Sequence, residues 1–260
     1  MSTVFVTLTD ASYYSKALRT INELRTNGQW TGDVVLIAVD FTPEPMEGVQ
    51  VFETTHIDTN GLLASFREHP IRPMADNRHF AKLYQWDKLQ IFKPFFKSWE
   101  RVVFLDAGLR VFHTVQPLLD IDWKGKFLAP DDSDPYDNGV RFRIQLDLQA
   151  NPAVTQKLLE DYPESILDGH YFLNCMFVFD TALLERISFE EMEAAMNRYP
   201  ICMCNEMGIM NLLLTFKLGV WCPFPQKVGG NYLFGWSENN YHDIRDWSSF
   251  HFMKYPTTRS

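Results

Sequence analysis

The chain has 260 residues, 46 % of them apolar, which is enough to fill a sizeable core and excludes a disordered, collagenous or low-complexity protein. Its 24 Lys and Arg stand against 33 Asp and Glu, a net charge of −9, which argues against a broad surface for nucleic acid or anionic membrane, so a phosphate ligand has to be met locally. No window approaches the roughly 18 uninterrupted apolar residues of a spanning helix and the first residues carry no leader pattern, so no transmembrane segment is expected.

The first segment, Val4-Phe5-Val6-Thr7-Leu8-Thr9, reads as a buried strand, and a helix from about Ser12 to Arg25 follows with Leu18, Ile21 and Leu24 on one face. A second apolar run, Val34-Val35-Leu36-Ile37-Ala38-Val39, stops at Asp40. Strand, helix, strand in about forty residues predicts a right-handed crossover in a parallel sheet. A weaker strand is expected at Val49-Gln50-Val51-Phe52, then an irregular stretch with Pro70 and Pro73, then a helix from about Arg78 to Phe92. Next comes Arg101-Val102-Val103-Phe104-Leu105-Asp106, an apolar run ending abruptly in a carboxylate and followed by Ala107-Gly108. An acid at the carboxyl end of a central strand is a site candidate, because ligands of open α/β sheets bind beyond those ends.

The second half predicts strands at Lys126-Phe127-Leu128-Ala129 and Phe177-Val178-Phe179, and helices near 152–161, 187–198 and 206–216. The acidic stretch from Asp131 to Gly139 reads as a solvated loop and lacks the Glu that closes a calcium loop of the EF-hand type. Cys175, Cys202, Cys204 and Cys222 form no Cys-x-x-Cys pair and read as buried thiols. No Asn stands two residues before Ser or Thr, so no N-glycosylation acceptor is present, which favours a cytoplasmic setting. One domain over 1–260 is expected, with a nucleotide-binding half at about 1–115 and an acceptor half at about 116–260.

Several fragments, taken in order, resemble the glycogenin-like glycosyltransferases, family 8 of the enzymes with a GT-A fold. Phe5-Val6-Thr7-Leu8-Thr9 with Tyr14-Ser15-Lys16 is similar to the family's first strand and helix, and Phe80-Ala81-Lys82-Leu83-Tyr84-Gln85-Trp86 resembles its Thr-Lys-Leu-x-x-Trp helix. Val102-Val103-Phe104-Leu105-Asp106-Ala107-Gly108 is similar to the strand ending in Asp-Ala-Asp, with Gly108 in place of the second acid. Leu173-Asn174-Cys175-Met176-Phe177 resembles Phe-Asn-Ser-Gly, Glu206-Met207-Gly208-Ile209-Met210-Asn211 resembles Asp-Gln-Gly-Ile-Leu-Asn, and His251-Phe252 resembles the final His-Phe-x-Gly.

The resemblance implies a Rossmann-like mixed sheet flanked by helices and transfer of glucose, galactose or xylose from a UDP-sugar to a hydroxyl of a glycan or glycoprotein. By it, Thr7, Leu8, Thr9 and Tyr14 would hold the uracil, and Lys82, helped by Arg78 or less certainly Arg72, would meet the diphosphate. Asp106, Ala107 and Gly108 would border diphosphate and metal, and Asn174 would bind donor-sugar hydroxyls. Mn²⁺ or Mg²⁺ would rest on Asp106 and His251, whereas in a metal-free site lysines such as Lys82 and Lys254 would supply the charge. By the same resemblance Glu206 would stand nearest the reacting carbon, as the face-shielding or nucleophilic group of a retaining transfer or as the general base of an inverting one. Met207 and Met176 replace a Gln and a Gly, which alters the donor pocket. Dimers are common in that family, so a homodimer is a further expectation.

Two other readings stay open: a sugar-nucleotide-binding protein without turnover, and a nucleotidyltransferase, against which the Gly-free stretch Thr9-Asp10-Ala11-Ser12-Tyr13 counts. Asp168-Gly169-His170-Tyr171 reads as a plain loop, with contact to sugar or acceptor as the alternative. Among the aromatic residues of the last third, Trp221, Phe224, Tyr232, Phe234, Trp236, Tyr241, Trp247 and Phe250, most are expected in the core; Trp236, amid loop formers, is the candidate sugar platform.

Overall fold

A computed structural model describes residues 2–72, 77–132, 139–236 and 247–254. The larger of its two sheets has seven strands in the order β3-β2-β1-β4-β7-β6-β8. They are β1 (Thr3–Thr9), β2 (Asp33–Val39), β3 (Gln50–Thr54), β4 (Arg101–Leu105), β6 (Phe127–Ala129), β7 (Met176–Asp180) and β8 (Trp221–Pro223). The smaller sheet runs β5-β11-β10-β9, built from β5 (Arg110–Val111), β9 (Lys227–Val228), β10 (Asn231–Trp236) and β11 (Phe250–Lys254).

The apolar runs of the first forty residues form the expected crossover. β1 pairs parallel with β2, Val6 facing Val35, and parallel on its other edge with β4, Val6 facing Phe104. Helix α1 (Tyr14–Thr26) joins β1 to β2 and buries Ala17, Ile21 and Leu24, while Asp10 accepts from the Tyr13 N–H ahead of it. The chain leaves β1 toward β2 and β3 and returns on the opposite side as β4. The carboxyl ends of β1 and β4 therefore border a topological switch point, where such sheets bind ligands. All five residues of β4 are buried, which is why the run after Arg101 is continuously apolar.

The remaining helices are α2 (Asn60–Glu68), α3 (Arg78–Ala81), α4 (Gln116–Leu119), α5 (Pro152–Asp161), α6 (Phe189–Arg198) and α7 (Glu206–Asn211). α5 starts with Asn151 capping the Val154 N–H and Pro152 in its first turn, and α6 starts with a capping box between Ser188 and Glu191. α7 continues as a π-helical stretch, Leu212–Lys217.

The helix expected from Arg78 to Phe92 is corrected. After the short α3 the chain winds as a 3₁₀ helix over Leu83–Phe92, with every residue from Trp86 to Phe92 buried. In a 3₁₀ helix residues i and i+3 eclipse, so three rows form. Trp86, Leu89 and Phe92 make an apolar row, and Asp87 and Gln90 a polar one that meets His56, the Ile57 N–H and the Thr55 carbonyl. Lys88 and Ile91 make the third. An α-helix with one apolar stripe has no use for a segment buried all round.

The second sheet was not foreseen. It collects several aromatic residues of the last third: Tyr232, Phe234 and Trp236 lie on β10, and Phe250, on β11, stacks on Tyr232. Cys175, Cys202 and Cys204 are buried free thiols as expected, but Cys222 is half-exposed. The acidic loop lies outside the described residues at 133–138, as does Pro73; so does Tyr241, and so does the side chain of Trp247.

Candidate active site

Beyond the carboxyl end of β4, five side chains from five parts of the chain form one cluster of ion pairs and hydrogen bonds. Asp106 directly follows β4, and its N–H donates to the Cys175 carbonyl at 2.9 Å, which fixes it against the strand that starts at Met176. Lys88 comes from the 3₁₀ segment, and its Nζ lies 3.1 Å from Asp106 Oδ1 and 3.1 Å from Glu206 Oε1. The same Nζ donates to Asn174 through its carbonyl at 3.1 Å and its Oδ1 at 3.2 Å. Asn174 Nδ2 in turn donates to Glu206 Oε1 at 2.9 Å. On the outer side Lys254, the last residue of β11, places its Nζ 3.0 Å from Asp106 Oδ2.

The cluster is graded in depth. Glu206 and Lys88 side chains are 3 % and 9 % exposed, whereas Lys254 and Asp106 are 18 % and 23 % exposed, so a ligand reaches the Asp106–Lys254 edge first. Burial alone would push the Lys88 ammonium down, but the charges of Asp106 and Glu206 outweigh it and hold the pKa above the usual lysine value. Burial likewise works against the charged form of Asp106, yet Lys254 and Lys88 together hold its carboxyl below the usual range. Glu206 goes the other way: burial raises it, and Lys88 and Asn174 offset this only in part. Its Oε2 is buried and has no hydrogen-bond partner among the described residues. A buried carboxylate oxygen left open needs an explanation, and a ligand hydroxyl supplies one.

Glu206 opens α7 because Asn205 before it turns the backbone into a positive φ of 51°. Asn205 is fully buried, and its Nδ2 donates to the carbonyls of Arg78 and Lys82, both at 3.1 Å, and to Gln85 Oε1 at 2.9 Å. One amide thus ties the start of α7 to the segment that delivers Lys88. Lys82 and Arg78 have half-buried side chains on the same segment, but the cation this segment sends to Asp106 and Glu206 is Lys88. Arg72 is committed elsewhere, with its Nε 3.2 Å and its backbone N–H 2.7 Å from Asp147 Oδ2.

Thr7, Leu8 and Thr9 lie along the end of β1, with Thr7 and Thr9 buried and Leu8 half-buried. Thr7 Oγ1 is a second buried atom with no partner among the described residues, and Thr9 Oγ1 donates to the Asp10 carbonyl at 2.8 Å. Tyr14 is half-buried and meets Phe41 edge-on with ring centroids 5.3 Å apart. Beside it Tyr84 donates its hydroxyl proton to the Tyr13 hydroxyl at 3.2 Å, and burial holds the Tyr84 phenol well above its usual range. Tyr13 and Tyr84 were not singled out from the sequence. Met176 pairs with Leu105 in the sheet and Met207 is buried. In the 168–171 loop Asp168 pairs with Arg143 at 2.5 Å and His170 with Asp131 at 2.8 Å.

The metal expectation meets a donor set that does not fit it. Both oxygens of Asp106 carry ammonium groups. Gly108 brings no side chain, and its φ of 88° is a conformation that any L side chain would strain. His251 Nε2 lies 3.2 Å from the Val228 carbonyl oxygen and its ring packs edge-on against His113, centroids 5.4 Å apart, while burial lowers its pKa. Its Nδ1 is buried with no hydrogen-bond partner among the described residues, one nitrogen where Mn²⁺ or Mg²⁺ asks for about six mostly oxygen ligands. Among the described residues no three His, Cys, Asp or Glu side chains come together as a metal-binding group.

No protein-family model and no curated protein sequence matches the chain. Solved structures do. The galactosyltransferase LgtC, crystallised with donor and acceptor sugar analogues, superposes with a TM-score of 0.60 at 12 % identity over 97 % of this chain and 86 % of that one. The mannosyltransferase Ktr4p from S. cerevisiae does so with a TM-score of 0.52 at 11 % identity, covering 88 % and 69 %. The glycosyltransferase GlyE of Streptococcus pneumoniae matches with a TM-score of 0.52 at 11 % identity over 87 % of this chain and 46 % of its own. The fold is that of the GT-A glycosyltransferases.

Proposed function

We propose that the chain is a glycosyltransferase that moves a sugar from a UDP-sugar to a hydroxyl of a glycan or glycoprotein, the whole of 1–260 acting as one catalytic unit in the cytoplasm. The observation that carries this reading is the Asp106–Lys88–Glu206–Asn174 cluster at the switch point of a glycosyltransferase fold. A structural core has no use for two acids and a lysine so deeply placed, because desolvating them costs more than apolar packing in the same space.

In the reaction the bond between the anomeric carbon and the β-phosphate oxygen breaks, and its electron pair leaves with the diphosphate. The acceptor hydroxyl oxygen forms the new bond to that carbon, and its proton passes to a base, the Glu206 carboxylate or the departing diphosphate oxygen. Uracil lies against Thr7, Leu8, Thr9 and Tyr14 at the end of β1. The diphosphate meets the Asp106–Lys254 edge and the segment carrying Arg78 and Lys82. Glu206 Oε2 faces a donor-sugar hydroxyl or the reacting carbon, with Asn174 and Lys88 holding its other oxygen.

Galactose and mannose occur in the names of two similar structures, so the donor sugar is a matter for measurement. The deciding experiment is binding of UDP-glucose, UDP-galactose and UDP-xylose by calorimetry, with release of UDP followed in the same samples. Binding with slow hydrolysis of one donor supports a transferase and identifies its sugar. Binding without hydrolysis or transfer to any acceptor supports the inactive sugar-nucleotide-binding protein instead.

A further inference from the structure

We propose that the ammonium group of Lys254 takes the place of a divalent cation at Asp106, so that this chain holds and releases its donor diphosphate without a metal. The inference rests on the sugar-transfer reading above and concerns the same site. Asp106 is the acid at the end of the central strand, and an ion seated there would have to displace one of two ammonium groups that lie 3.0 and 3.1 Å from its oxygens. The next position able to offer an acid, Gly108, has a backbone that disfavours one.

The two lysines have different tasks. Lys88 is turned inward, with Asp106, Glu206 and both oxygens of Asn174 within 3.2 Å, and is saturated. Lys254 contacts Asp106 Oδ2 at 3.0 Å and the Ala107 carbonyl at a long 3.5 Å. An ammonium has three N–H donors, so at least one has no protein acceptor among the described residues. That donor sits at the more exposed edge of the cluster, where an anion arrives.

Charge counting gives the same answer. A divalent ion on two carboxylates is a neutral ensemble; one ammonium on one carboxylate is neutral as well. Exchanging acid and ion together for a single lysine keeps the local charge that meets a diphosphate. When the anomeric carbon–oxygen bond breaks and its electron pair passes to the β-phosphate oxygen, the growing negative charge faces Lys254, fixed in place by Asp106 and paying little reorganisation. Lys82, the lysine that the sequence favoured for this task, is not the one on Asp106.

The test is calorimetric binding of UDP to the full chain in EDTA and in Mn²⁺, with Lys254→Ala and Lys254→Arg alongside and folding checked by circular dichroism. The wild-type affinity should agree in the two buffers within about twofold. Lys254→Ala should lose about tenfold or more in EDTA, the effect of one charge-assisted contact, and Mn²⁺, admitted to the vacated Asp106 oxygen, should restore part of it. Lys254→Arg keeps the charge and should retain most of the metal-free affinity. Wild-type binding that appears only with Mn²⁺ overturns the inference while leaving the sugar-nucleotide reading intact, and so does Lys254→Ala binding as tightly as wild type in EDTA. Absence of binding by UDP, GDP and CDP in either buffer overturns both.

Discussion

Lys254 and Asp106 are 148 residues apart in the sequence, and their Nζ and Oδ2 atoms lie 3.0 Å apart. The contact joins the two sheets: Asp106 directly follows β4 of the large one, and Lys254 ends β11 of the small one. The small sheet therefore does more than cover a core. It carries a cation to the carboxyl end of the central strand.

Lys88 holds that cluster together from within. Replacing it by Met would leave Glu206 buried beside Asp106 with no positive charge between them. Removal of one partner from a buried ion pair costs about 3–5 kcal/mol. For a chain of this size that corresponds to a fall in Tm of roughly 10 °C or more, read by calorimetry at neutral pH. A Lys88→Met protein as stable as wild type would show that the cluster is not a structural unit.

Glu206→Gln separates the chemical step from folding. The amide keeps the shape and the contact with Asn174 but has no negative charge, so donor affinity should change little while kcat falls by about 10²- to 10⁴-fold, the range for a positioned acid or base. Equal losses in donor affinity and in kcat would instead mark Glu206 as a binding group.

The pH profile follows from opposite shifts in neighbouring acids. Burial raises Glu206 above the usual 4.5, so on acidification it takes up a proton before Asp106, which Lys254 and Lys88 hold below the usual 3.8. Activity that needs ionised Glu206 should therefore fall on an acid limb centred above pH 4.5, and Glu206→Gln should lack that limb. Stability has a different window. The contribution of Asp106, whose folded pKa is depressed, is complete above about pH 4 and is lost as pH falls through the folded value; that of Lys88, whose folded pKa is raised, is complete below about pH 10 and is lost at higher pH. Glu206, whose folded pKa is raised, works the other way and loses its contribution as pH rises through its folded value, so the expected Tm plateau begins above that point and runs to mildly alkaline pH.

Much of the frame was legible in the sequence. β1, β2 and β4 are apolar runs long enough to read, and each stops at a polar residue where the sheet ends. Asp106, Asn174, Glu206 and Lys254 were all legible as site candidates, the first because a carboxylate closes a central strand. Lys88 was not, since Asp87-Lys88 resembles the solvated face of an α-helix. Trp86, Leu89 and Phe92 recur every third residue, a spacing shared by 3₁₀ rows and an α-helical face, so no local pattern marked Lys88 as buried. The second sheet escaped because β5 and β9 are two residues long and β10 is interrupted by Gly235, whose missing side chain makes room for Phe250 and Met253. Pairing between such short pieces is set by tertiary contacts and not by a local pattern.

Gly108 offers a direct test of why the second acid is missing. Its φ of 88° strains any L side chain, whereas the space beside it is ordinary, a Cβ meeting the Lys16 side chain at 3.5 Å. Gly108→Asp should thus cost about 1–3 kcal/mol through the backbone alone, without creating a Mn²⁺ requirement. Tight Mn²⁺ binding by that variant in electron paramagnetic resonance, at undiminished Tm, would contradict both expectations.

Trp236 is the register partner of Lys254 across β10 and β11, so the two residues sit side by side at the ends of the strands that carry the cation to Asp106. Trp236 is half-buried, and its Nε1 is buried without a partner among the described residues. Side chains on register partners share one face of a sheet, so under the proposed function an aromatic surface and the Lys254 cation lie on one face of the small sheet, and a sugar ring could stack there. Stacking of a sugar ring on it should make Trp236→Ala raise KM for one of the two substrates by about tenfold, and Trp236→Phe, which keeps a flat apolar face, should recover most of that loss. A change in Tm with both KM values unaltered would place Trp236 among the packing residues and leave the sugar without an aromatic platform from β10.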